Sequence, residues 1–102
     1  GPAVELGEWD DLECLRIPHF YSAFYVYKYA TGLAAAISLA AQVMSGDTEP
    51  RRRYLDFLKA GASKYPAELL ADAGVRITEP APIEAAVTLF GSLVDELEEL
   101  TV

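Results

Sequence analysis

From Phe20 to Met44 the chain carries a single charged side chain, Lys28, and no proline. On a helical wheel Phe24, Tyr25, Val26, Tyr27, Tyr29, Leu33, Ile37, Leu39 and Val43 go all the way round, with alanines in the gaps. A helix that is apolar on every face is normally the central helix of a larger protein. The remaining residues supply three shorter helical stretches, which cover part of such a helix. A chain of this size buries only about 65% of its unfolded surface. The pattern therefore predicts missing partners: other subunits, with a homodimer as the default symmetric solution, or missing upstream polypeptide.

Proline and glycine divide the rest. Residues 1–17 are acidic and irregular, with a turn of helix at Trp9 to Leu15. Pro18 biases Ile17 toward extended backbone and can begin a helix. One long helix is predicted over about 20–45, closed by Gly46 in the left-handed conformation. Shorter helices are predicted at about 50–60 and 66–73, the latter opened by Pro66 and stopped by Gly74, and a last one at about 82–100. In that last helix Ile83, Val87, Phe90, Val94 and Leu97 recur at alternating four- and three-residue steps, one stripe, followed by an acidic end. Val75-Arg76-Ile77 is too short to count as a strand. The expectation is a single all-α helical segment spanning residues 1–102, with Phe24, Leu33, Ile37, Phe57, Leu69, Phe90 and Val94 in a shared core.

Composition excludes several functions. Sixteen acidic against eight basic side chains give a net charge of −8 and a pI near 4.4. Nucleic-acid binding calls for a basic footprint, so none is expected. A spanning helix wants about 20 strongly apolar residues; Lys28 interrupts the stretch, and the remainder to Gln42 is short and alanine-rich, so no membrane is expected either. The first residues, Gly1 to Leu6, lack the basic and apolar regions of a signal peptide. Cys14, the one cysteine, excludes an internal disulfide and a thiolate zinc site, and suits a reducing, cytoplasmic compartment. With His19 as the one histidine, chemistry that needs two imidazoles is incomplete in this chain.

The informative segment runs from Arg16 to Gly32. Four of the six tyrosines fall within nine residues, beside the histidine. On a continuous helix Tyr21, Tyr25 and Tyr29 would form one stripe, and Phe20, Phe24 and Tyr27 another. Such a pattern reads either as an aromatic core helix with hydroxyls at its margins or as a polar pocket wall, where phenol and imidazole groups donate to a developing oxyanion. Composition does not choose between them.

Ile17-Pro18-His19-Phe20-Tyr21, with Phe24-Tyr25-Val26-Tyr27-Lys28-Tyr29-Ala30-Thr31-Gly32, resembles the C-terminal region of the oligoendopeptidase F branch of the thimet-oligopeptidase-like zinc metallopeptidases. Phe57 to Leu70 is similar to the same family's Gly-Gly-Ser-x-x-Pro segment, with Ala62 in place of the second glycine. The resemblance implies a mostly helical peptidase of several hundred residues that hydrolyses short peptides in a deep cleft. Its zinc is held by an H-E-x-x-H helix and a further glutamate. None of those ligands is in this chain, so the resemblance assigns it no metal ligand and makes the upstream part of the peptidase its partner. Carried over residue by residue, Tyr27 would donate to the tetrahedral oxyanion, and His19 would donate to a backbone carbonyl of the bound peptide. Tyr25 is a further candidate for substrate binding in the cleft, the alternative being that its stripe faces the core. On one straight helix His19 and Tyr27 would stand about 12 Å apart along the axis, so a bend near Phe20 is expected.

Other constellations carry less. Cys14 with His19 lacks the pattern of a nucleophile and its base, and Ser22 has no orienting carboxylate. Arg51, Arg52 and Arg53 form a solvated cluster or pair with the acidic last helix. A second function class stays open: a stand-alone, self-associating helical module without catalysis.

Overall fold

The computed structural model describes residues 3, 5 and 7–101. Among these all regular secondary structure is helical: two 3-10 helices, Asp10–Arg16 and Pro18–Tyr21, precede α1 (Tyr27–Met44), α2 (Thr48–Ala60), α3 (Pro66–Asp72) and α4 (Ala81–Thr101). The chain divides into two compact units, Gly1–Ala30 and Thr31–Val102.

In the first unit the expected helix from Phe20 does not form; the α-helix starts at Tyr27. The reason is local. Pro18 opens a 3-10 helix whose last N–H bond runs from Ser22 to the His19 carbonyl at 3.4 Å, and Ser22 itself is extended, with φ −97° and ψ 112°. Phe24 then takes a φ of +58°, the one left-handed non-glycine residue described. No α-helix continues through that backbone. The chain bends over Ser22 to Val26, slightly later than the sequence suggested. The two 3-10 helices are joined by the Tyr21 hydroxyl, which donates to the Leu15 carbonyl.

The second unit packs α1, α2, α3 and the segment after α3 around Ala35, Leu39, Ala73 and Val75, with Tyr54, Phe57, Leu70 and Ile77 closing over them. Of the expected core, Leu69 is buried and Phe57 packs on the centre. Phe24, Leu33, Phe90 and Val94 are exposed, which corrects the expectation. An apolar wheel offers no preferred face, and the face chosen on α1 is the small one, Ala34, Ala35 and Leu39.

Caps set the element ends. α3 closes in a Schellman motif: Val75 N–H donates to the Leu70 carbonyl at 2.8 Å and Gly74 N–H to Ala71 at 3.0 Å. Gly74 has φ +97°, and a Cβ there would lie 2.7 Å from Gln42 Oε1, whose amide is held by donating Nε2 to the Gly74 carbonyl at 3.0 Å. At its other end α3 has Pro66 in the first turn and the Tyr65 N–H donating to the Glu68 carboxylate at 3.2 Å. In α2 Arg52 bridges Glu49 and Asp56 at 2.7 Å each, so this arginine pairs along its own helix and not with α4. α4 is anchored by its first turn, where Pro82 is buried; from Val87 onward its described side chains are exposed.

Candidate active site

The sequence-derived candidates all lie in the first unit. His19 is the second residue of the Pro18–Tyr21 helix. Its carbonyl is committed to the Ser22 N–H, while its imidazole stands at the surface. Tyr25 follows the left-handed Phe24 and donates its backbone N–H to the Ser22 carbonyl at 3.2 Å, closing the turn. That turn brings the Tyr25 ring onto the His19 ring: their centroids are 5.6 Å apart and their planes tilted by 39°. Tyr25 also meets Tyr29 edge to face, at 6.3 Å and 73°. The structure thus joins His19 to Tyr25 although the helical stripe of Tyr21, Tyr25 and Tyr29 does not exist. Tyr27 opens α1 and is 63% exposed.

Lys28 is the residue that reading for chemistry passed over. Along the chain it looked like an interruption in an apolar run. In the fold its Nζ lies 3.6 Å from the Tyr25 ring centroid and 5.7 Å from that of Tyr29. The Lys28 ammonium, and after it the Tyr29 hydroxyl, hold the Tyr25 phenol below the usual phenol range. The legible signal was an aromatic residue followed three positions later by lysine, a pair that meets wherever the chain turns helically.

An imidazole N–H and a phenol O–H are both donors, able to hold a carbonyl or an oxyanion. The donor set does not suit a zinc ion. Among the described residues no three His, Cys, Asp or Glu side chains stand together as a metal site, and His19 has no second imidazole to join it.

Among the described residues the regular structure is all helical, and an imidazole and phenol groups gather at one turn. The chain belongs to peptidase family M3, whose sequence model matches residues 3–89. It is 53% identical over 89 residues to oligopeptidase PepF of Bacillus subtilis, covering 87% of this chain and 13% of that protein. An oligoendopeptidase F homolog of Borreliella burgdorferi is 44% identical over 100 residues, covering 98% of this chain and 17% of the relative. The crystal structure of oligoendopeptidase-F from Enterococcus faecium superposes with a TM-score of 0.83 at 46% identity, covering 99% of this chain and 19% of that one. The chain therefore spans less than a fifth of the length of each.

Proposed function

We propose that these residues form the C-terminal part of the catalytic domain of a zinc-dependent oligoendopeptidase that hydrolyses short peptides. The family match over residues 3–89 carries this reading, and the contact between His19 and Tyr25 supports a built site at the matched motif. Zinc, in this reading, is held by the remainder of the peptidase, where it supplies Lewis-acid chemistry. This chain's own residues do the rest. Tyr27 donates its O–H to the oxyanion that develops at the scissile carbonyl. His19 donates an imidazole N–H to a backbone carbonyl of the bound peptide, and Tyr25 lines the same site. A cytoplasmic location goes with the lone Cys14, which a reducing compartment suits.

The test is steady-state kinetics on a short quenched peptide, with the complete, zinc-loaded peptidase that carries this segment. One oxyanion donor is worth about 2.7–4 kcal/mol, so Tyr27→Phe should lower kcat about 100- to 1,000-fold. The loss should fall on kcat more than on KM, because the bond strengthens in the transition state. A near-wild-type kcat would reject the role and return Tyr27 to packing. The self-associating module keeps one observation in its favour, the exposed apolar side chains of α1 and α4. An upstream H-E-x-x-H in the same reading frame decides against it.

A further inference from the structure

A lysine in the middle of an aromatic run ordinarily reaches for water. Lys28 instead seats its ammonium over one phenol face, 3.6 Å from the Tyr25 centroid, with the Tyr29 ring 5.7 Å away. Tyr25 is thereby gripped from three directions: Lys28 on its face, Tyr29 edge-on, and His19 tilted against it at 5.6 Å. No hydrogen bond of the His19 ring is needed to orient it if its neighbour is fixed. We propose that Lys28 is a positioning residue of this site, which holds the Tyr25 ring against the His19 imidazole and so sets the direction in which His19 presents its N–H to a peptide carbonyl. The proposal rests on the oligopeptidase reading for its effect on KM, and on geometry alone for its effect on the imidazole. The lowered phenol pKa of Tyr25, caused first by Lys28, is consistent with the same grip.

A guanidinium stacks on an aromatic face as an ammonium does, so arginine should replace Lys28, whereas methionine keeps most of the apolar stem and loses the charge. An exposed cation–π contact is worth a factor of about two to five in an equilibrium. The experiment uses the complete, zinc-loaded peptidase with 13C-labelled histidine, the His19 ring signal being identified by its loss in His19→Gln. Lys28→Met should move the His19 Cε1–H signal and raise KM for a short quenched peptide about two- to fivefold, leaving kcat within about twofold. Lys28→Arg should restore both. A His19 signal unmoved in Lys28→Met, or moved equally in Lys28→Arg, overturns the proposal, and so does a loss confined to kcat. If Lys28→Met does not accumulate as folded protein, Tyr25→Phe should keep the His19 signal and Tyr25→Leu should displace it; the same signal in both is again a refutation. A signal that moves as expected while KM and kcat both stay constant upholds the positioning and rejects the substrate contact assigned to His19, so the two readings fail separately.

Discussion

Gly74 and the leucines of α1 show how single residues set this structure. At Gly74 the backbone is left-handed and a side chain would enter the space of Gln42 Oε1. Gly74→Ala should therefore destabilise by about 1–2 kcal/mol from the backbone conformation, with the Gln42 bond to the Gly74 carbonyl lost in addition; urea denaturation measures the sum. The contrast between Leu39 and Leu33 is equally local. They lie on one helix six residues apart, yet Leu39 is 8% exposed and Leu33 62%. Leu39→Ala should cost about 2–5 kcal/mol. Leu33→Ala should stay within about 0.5 kcal/mol, the range of a surface change.

Among the elements, α2 offers a pH response with a definite sign. The Arg52 guanidinium beside Glu49 holds its carboxyl below its ordinary value. A depressed carboxylate contributes stability that is present above the unfolded-state pKa and lost as pH falls through the folded one. Helicity of α2, read by residue-resolved NMR, should accordingly decline as pH drops below the ordinary carboxyl value of 4.5. Glu49→Gln should flatten that decline, and added salt should weaken it, because both partners are exposed. The four α-helices, three of their four starts, and the glycine ends at Gly46 and Gly74 were legible from punctuation, since those signals are local. The start of α1 was not: nothing in Ser22-Ala23-Phe24 announces a left-handed phenylalanine. The same gap hid the geometry of the site, because the contact of His19 with Tyr25 depends on that turn. His19, Tyr25 and Tyr27 were nameable from the motif as candidates only, while the seat of Lys28 required the side chains themselves.

For the molecule as a whole, the question is what the exposed apolar surface is for. Phe90 at 69%, Val87 at 64% and Leu97 at 60% share one stripe of α4. If the remainder of a peptidase covers them, Phe90→Ala should cost about 3–5 kcal/mol in the complete protein and under about 1 kcal/mol in the 102-residue chain alone. Equal small losses in both would leave that stripe uncovered. The anchoring of α4 by Pro82 alone has a kinetic counterpart. A helix held at one end exchanges its amide hydrogens along a gradient, slowly near the anchor and faster toward the free turns. In the isolated chain, amides from Val87 onward should therefore exchange well ahead of those in α1 around Leu39. If further polypeptide covers α4 the gradient should vanish, so deuterium uptake along this one helix measures whether such a cover is in place.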